Sequence, residues 1–148
     1  MNDCIFCKII NRDVPCHTLY EDDRVIAILD HRPVRPGHAL ILPRQHIEYF
    51  CDLPDDLAAH IVLTGNRLAR KMMETLDPKP LCVGHVVHGF IPHVHYHVIP
   101  QYDWNDIASA QYARAENGKV IFEAEMIPVA NDEEQHRLAQ KLRLFSNS

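Results

Sequence analysis

Long apolar stretches are missing from this chain of 148 residues. No run approaches the roughly 20 apolar residues that a membrane-spanning helix needs. The first ten residues, MNDCIFCKII, also lack the basic and then apolar pattern of a secretion signal. We therefore expect a soluble, unsecreted protein that has no membrane partner.

An excess of positive charge is also missing. The 15 basic and 20 acidic residues are mixed along the chain and give a formal net charge of -5, which argues against nucleic acid as the main ligand. Repeats, low-complexity tracts and Gly/Ser-rich linkers are absent from the sequence as well. We expect a single domain over residues 1–148.

The cysteines do not form a disulfide framework. There are five, an odd number, and two of them form one Cys4-x-x-Cys7 pair while the rest are scattered. This pattern suits metal binding in a reducing compartment, so we expect a cytoplasmic location. A buried apolar corner or a redox pair remains an alternative use of Cys4 and Cys7.

What the sequence does contain is short strands and one long amphipathic helix. Leu57, Ile61, Leu68 and Met72 recur at helical spacing and predict a helix from Asp55 to about Leu76. Apolar runs bounded by turn residues predict strands at 18–21, 25–29, 38–43, 81–87 and 93–99. Later in the chain, KVIFEAEMI favours one more strand and residues 132–145 favour a closing helix. Antiparallel strands with a long helix on one face make an α+β domain.

The stretch PHVHYHVIP places three of the eleven histidines at alternate positions. On a strand, His93, His95 and His97 share one face, while the valines and tyrosine between them point to the core. Because the outer two would lie about 13 Å apart, one zinc ion cannot bind all three. A solvated strand face is the alternative, but three histidines in this register are improbable by chance.

These residues resemble the histidine triad (HIT) superfamily, in its zinc-containing branch. HVHYHVI fits the triad pattern, and the segments CIFCKII, TLYEDDRVIAILD and PGHALILPRQHI follow in the order and spacing of that branch. The resemblance covers about residues 4–100, whereas residues 101–148 match nothing that we can assign. It implies a HIT-like α+β fold with an antiparallel sheet of about five strands, in a homodimer.

The resemblance also implies a function. The family binds nucleotides and cleaves a phosphoanhydride or phosphoramidate bond at the α-phosphate of a purine nucleotide, as a hydrolase or transferase. The family pattern makes His95 the nucleophile, which forms a nucleotidyl-histidine intermediate that water then hydrolyses. His97 is the second catalytic residue, as a donor to the phosphate or an aid to proton delivery.

The family pattern further implies a structural zinc ion held by Cys4, Cys7, His46 and His93. Two thiolates and two imidazoles form a closed tetrahedral shell, which leaves no position for a reacting water. Two alternatives stay open. One is a metal-dependent hydrolase in which His93 and His95 hold a catalytic ion, and the other is a nucleotide-binding interaction module with little turnover.

For nucleoside recognition, Asp30 matches the acidic ribose ligand of the family, where a carboxylate accepts from both ribose hydroxyls. Capping of the turn that follows is the alternative role. His38 is a further residue near this region. Its side chain either contacts the triad strand or makes a purely structural hydrogen bond. Four apolar residues are candidates to enclose the base, although such residues are more often core: Ile5, Phe6, Ile9 and Ile28.

Two positions depart from the family. Counting back from His93 without gaps, Cys82 and Gly89 stand where family members carry amide side chains that bond phosphate or leaving-group oxygens. We expect weak or shifted activity unless nearby donors compensate. His85 and His88 are the nearby candidates, and an exposed turn with two idle histidines is the alternative.

Overall fold

The computed structural model describes residues 3–107, 113–121 and 123–145. A five-stranded antiparallel sheet in the order β1-β2-β3-β5-β4 forms its centre, so the expected α+β class is confirmed. The strands are β1 Thr18–Glu21, β2 Val25–Leu29, β3 Ala39–Pro43, β4 Cys82–Val87 and β5 Tyr96–Gln101. A separate hairpin contains β6 Arg114–Glu116 and β7 Lys119–Ile121. The helices are α1 Ile5–Ile10, α2 Asp55–Thr75 and α3 Asp132–Leu142, with 3-10 turns at Phe50–Asp52 and Ala124–Met126.

The long helix α2 covers one face of the sheet. Asp55 and Asp56 lie in its first turn, where their negative charges interact favourably with the positive end of the helix dipole. Its buried residues include Ile61, Leu68 and Met72, all fully buried in the main core. The amphipathic spacing thus decides which side of the helix meets the sheet.

The short helix α1 covers part of the opposite face. Phe6 and Ile9 pack there against a second buried cluster formed by β2 and β3. The cluster residues of these strands are Ile26, Ile28, Leu40 and Leu42. Both central strands are therefore buried on both sides, which explains why they are almost continuously apolar.

Strand β5 lies between β3 and β4 and carries the end of the triad. His97 is opposite Leu40 on β3 and Val86 on β4, so it projects toward the α1 side. Tyr96 and Val98 belong to the α2-side core. The expected alternation is confirmed for this part of the strand.

The predicted strand over 93–99 begins too early, because β5 starts at Tyr96. The His93 N–H donates to the Ile91 carbonyl and the Val94 N–H to the Ile47 carbonyl, so neither joins the sheet ladder. His93 and His95 are therefore loop residues directly before the strand.

The carboxyl-terminal third differs from the expectation in part. The predicted strand over KVIFEAEMI is only β7, followed by a 3-10 turn; residue 122 lies outside the described residues. Asn117 and Gly118, both at positive φ, join β6 to β7, as Asn-Gly does in tight hairpins. The closing helix is confirmed as α3, and the Asn131 side chain caps it by accepting from the Glu134 N–H.

Among the described residues, none of the helices has the length and apolar character to cross a membrane. The cytoplasmic location and the single domain over 1–148 stay predictions.

Candidate active site

His95 is held as a neutral imidazole with one nitrogen free. Its Nδ1–H donates to the carbonyl of His93 at 2.7 Å, so Nε2 carries the unshared electron pair. Burial lowers the pKa of His95 and the His88 ring adds to the effect, whereas the backbone carbonyls of His93 and His88 act in the opposite direction. A fixed tautomer with an unprotonated Nε2 is what a nucleophilic imidazole requires.

A chain of three hydrogen bonds fixes the tautomers of its neighbours. The Val34 N–H can only donate, and it donates to His38 Nδ1 at 3.0 Å. His38 therefore carries its proton on Nε2 and donates to His97 Nδ1 at 2.9 Å. His97 in turn donates from Nε2 to the carbonyl of His88 at 3.2 Å.

This chain is uncharged. Burial lowers the pKa of His97 to about 3, with the neighbouring histidines adding to the effect. Burial likewise takes the pKa of His38 well below 6.5. The two rings therefore serve as neutral hydrogen-bonding groups, and neither supplies a positive charge at neutral pH.

The space around His95 is narrow. The Phe6 ring lies 5.0 Å from the His95 ring, between centroids. On the other side Gly89 has φ +130°, and a Cβ there would come within 2.8 Å of His95 Cε1 and overlap Nε2. Only the absence of a side chain lets the backbone of the loop lie against the reactive nitrogen.

A second cluster lies beside the triad, formed by Cys4, Cys7, His46 and His93, whose ligand atoms all lie within 4.8 Å of one another. Cys7 Sγ is 3.3 Å from His46 Nδ1 and 3.6 Å from His93 Nδ1, and Cys4 Sγ is 3.5 Å from His93 Nδ1. Sulfur and nitrogen ligands at tetrahedral zinc would be about 3.6 Å apart, from bond lengths of about 2.3 and 2.0 Å. The residues fit that ion.

A hydrogen bond at the ring nitrogen that faces away from the cluster orients His93. Its Nε2–H donates to the carbonyl of Pro43 at 2.9 Å, which leaves Nδ1 unprotonated toward the two sulfurs. A backbone acceptor on the outer nitrogen is the usual way in which proteins orient a metal-binding histidine.

Asp30 lies at the end of β2, next to the histidine chain. One carboxylate oxygen accepts from the Arg32 N–H at 2.9 Å, and the other is 3.5 Å from His38 Nε2. Burial raises the pKa of Asp30 to about 6, against the effect of the Arg32 bond. The capping role is thus present in the structure, and the ribose role stays a prediction.

The other predicted substrate residues fall into two groups. Phe6, Ile9 and Ile28 are buried in the α1-side core, whereas Ile5 is 39% exposed. Cys82 pairs with Gln101 and donates to its side chain, about 17 Å along β5 from Tyr96. The structure therefore does not bring Cys82 to the triad. Cys82 is the first residue of β4, whereas the end of β4 that pairs beside the triad is Val87, opposite Tyr96.

Several parts of the site are backbone groups that the sequence does not reveal. They are the carbonyls of Pro43, His88 and His93 and the N–H of Val34. Two other histidines precede the triad in the sequence. His85 hydrogen-bonds the Tyr96 hydroxyl, whereas the His88 ring stacks on the His97 ring. Only His88 joins the triad.

A buried, neutral imidazole flanked by hydrogen-bonded histidines, next to a Cys2His2 cluster, is the arrangement expected of a histidine-triad site. The HIT domain family matches residues 11–104. The chain therefore belongs to the HIT family.

Known proteins agree with this assignment. Adenosine 5'-monophosphoramidase hnt1 of Schizosaccharomyces pombe is 37% identical over 102 residues, which are 66% of this chain and 74% of the yeast protein. Adenylylsulfatase HINT3 of Arabidopsis thaliana is 31% identical over 130 residues, 85% of this chain and 66% of the plant protein. Like these relatives, the protein is an enzyme.

Among solved structures, a zinc-bound histidine triad family protein from Mycobacterium smegmatis has a TM-score of 0.70 at 25% identity. The match covers 96% of this chain and 91% of the mycobacterial one. It therefore extends beyond residue 104, where the sequence match to the family ends.

Replacing Gly89→Ala should inactivate the enzyme without unfolding it, because the new Cβ would displace His95 Nε2. We expect kcat/KM for nucleotide hydrolysis to fall by at least about 100-fold, as misplacement of a reacting group by about 1 Å does. Gly118→Ala is the matched control, since Gly118 also has positive φ but a Cβ added there would meet no atom of the described residues within 4 Å. Equal activity of the two variants would contradict this account of the loop.

Proposed function

We propose that the protein hydrolyses a phosphoramidate or phosphoanhydride bond at the α-phosphate of a purine nucleotide, through a nucleotidyl intermediate on His95. The observation that supports this most directly is the free Nε2 of a buried, neutral His95. The yeast relative is a monophosphoramidase and the plant relative is an adenylylsulfatase, and these two activities indicate the substrate class.

In the first step His95 Nε2 attacks phosphorus and the leaving group departs with its bonding electrons. In the second step water attacks the same phosphorus, and the electron pair of the P–N bond returns to His95. The bound phosphoryl group competes with the His88 carbonyl for the Nε2–H of His97, which stabilises the developing negative charge as a neutral donor.

The nucleoside is bound by the other predicted residues. The Asp30 carboxylate accepts from the ribose hydroxyls, while Ile5, Phe6 and Ile28 form the apolar side of the base site. The Phe6 ring already contacts the rings of His93 and His95. A base that packs on this ring would bring its phosphate toward the nucleophile.

A catalytic metal shared by His93 and His95 is disfavoured by the hydrogen bonds. Both nitrogens of His93 have other partners, the cysteine sulfurs on one side and the Pro43 carbonyl on the other. His95 has only Nε2 free. No nitrogen of His93 is left to hold an ion together with His95.

Replacing His95→Ala should lower turnover of adenosine 5'-monophosphoramidate by more than about 1,000-fold, because the nucleophile is lost. Calorimetry should find AMP binding retained, since the binding groups lie elsewhere. Mass spectrometry of acid-quenched wild-type enzyme should show a nucleotidyl group on His95. His136→Ala, on the exposed side of α3, is the control.

Unchanged turnover in His95→Ala would refute the mechanism. AMP binding without turnover in the wild-type protein would instead favour the interaction-module alternative.

The Cys2His2 cluster holds a structural zinc ion in this proposal. The ion would tie α1 and the loop around His46 to the segment that carries the triad. Metal binding at such a site contributes folding free energy, and the four residues leave no open position for chemistry.

Elemental analysis should find one zinc per chain. Cys7→Ser should lose it and lower Tm by more than about 5 °C, which corresponds to roughly 2 kcal/mol for a domain of this size. Cys51→Ser is the matched control, because Cys51 is an exposed free cysteine outside the cluster. Loss of activity on zinc removal with Tm unchanged would contradict a structural role and favour a catalytic metal.

The homodimer is also part of the proposal. Strand β4 is an edge of the sheet, and such an edge presents unpaired backbone groups that a second copy can satisfy. Apolar side chains are exposed along it and on the neighbouring helix α2: Leu81, Val87, Val62 and Leu63.

Sedimentation should give about twice the 17.1 kDa of one chain. Val87→Lys should shift the protein toward the monomer by placing a charge at the paired edge. Val120→Lys, at an exposed position of β7, should not. A wild-type monomer at micromolar concentration would refute the dimer.

A further inference from the structure

His88 differs from the other histidines around the nucleophile. Its side chain is exposed at the surface, whereas His38, His95 and His97 are buried. Within residues 3–107, 113–121 and 123–145, neither ring nitrogen of His88 has a hydrogen-bond partner, whereas each of the buried three has at least one bonded ring nitrogen. His88 is thus an imidazole with both nitrogens available to a ligand.

Both the ring and the backbone of His88 are nevertheless held at the triad. The ring stacks on His97 with centroids 4.4 Å apart and planes 6° from parallel. The carbonyl of His88 accepts from His97 Nε2, and the next residue, Gly89, lies against His95 Nε2. The His88 side chain therefore stands at the edge of the space in which a phosphate must bind.

Cleavage of a phosphoramidate needs a proton for the departing amine, because an amide anion is a very poor leaving group. The buried histidines are not suited to give it. His38 has its proton in the bond to His97, and His97 is kept neutral by burial with its single proton directed at a carbonyl or phosphoryl oxygen. His95 uses its free nitrogen to attack phosphorus.

We infer that His88 is the general acid that protonates the leaving group, and the base that activates water in the second step. This role rests on the proposed function. It makes His88 a catalytic residue in contact with the substrate, in addition to the triad.

The protons and electrons balance over the cycle. As His95 Nε2 bonds to phosphorus, the P–N bond to the leaving group breaks and its electron pair takes a proton from the His88 imidazolium. Neutral His88 then takes a proton from water as that water attacks phosphorus. The P–N bond to His95 breaks, its pair returns to Nε2, and His88 is again protonated.

The surroundings suit this exchange. Partial burial lowers the pKa of His88, so the imidazolium is a stronger acid than that of free histidine. The neutral form, which the lowered pKa favours, is the one that can accept the proton of the attacking water.

The test compares a leaving group that needs a proton with one that does not. An N-alkyl phosphoramidate of AMP releases an amine, whereas the p-nitrophenyl ester of AMP releases a stable anion. In His88→Ala we expect kcat/KM to fall by about 100- to 10,000-fold on the amide and by less than about threefold on the ester. Because water activation is also impaired, the ester should give a burst of p-nitrophenolate and an accumulated adduct on His95.

Two further variants separate chemistry from packing. His88→Phe keeps an aromatic ring over His97 but has no proton to give, so it should be as slow as His88→Ala on the amide. His85→Ala removes the other histidine of this segment, whose ring bonds Tyr96, and should retain wild-type selectivity between the two substrates.

Recovery of amide cleavage in His88→Phe would overturn the inference in favour of a stacking role. An equal loss on both substrates in His88→Ala would also overturn it, while wild-type turnover of both substrates would leave the proposed function intact. A wild-type enzyme that cleaves neither substrate would refute the proposed function, and the role of His88 with it.

Discussion

His93 connects the two parts of the site, and the arrangement of both depends on it. Its side chain is fixed between the Pro43 carbonyl and the two cysteine sulfurs. Its backbone carbonyl fixes the tautomer of His95. A change at the Cys2His2 cluster would therefore move the carbonyl that orients His95.

Neutrality is the second constraint on this site. Each ring in the chain from His38 to His97 is buried, and burial of a charged imidazole without a charged partner is costly. A single backbone donor, the N–H of Val34, sets the direction of the other two bonds in the chain. The protein thus positions these two histidines by hydrogen-bond direction, with the Asp30 carboxylate 3.5 Å from His38 Nε2.

The segment between β4 and β5 shows why the departures from the family had to be placed in three dimensions. An ungapped count from His93 puts Cys82 and Gly89 at the two positions where family members carry amide side chains. In the structure β4 extends to Val87, so Cys82 lies at the far end of β4, whereas Gly89 lies against the His95 ring. Adding an amide side chain at Gly89 would displace His95, and the donor available at this place is His88.

The sequence by itself determined the α+β class, the bounds of α2 and of most strands, and the identity of the Cys2His2 and triad residues. For the helices and strands it could do so because period-two and helical spacing report which side chains are buried. For the site residues it could do so because their segments resemble those of the histidine triad family in order and spacing. It did not predict α1, which is too short to be stable alone and depends on packing against β2 and β3.

Only the tertiary structure decided the chemistry of each histidine. The free nitrogen of His95, the neutral state of His97 and the exposure of His88 depend on carbonyl and N–H groups that every residue carries, so no residue type marks them. Their placement follows from the register of β3, β4 and β5, and from burial that makes a charged imidazole unfavourable.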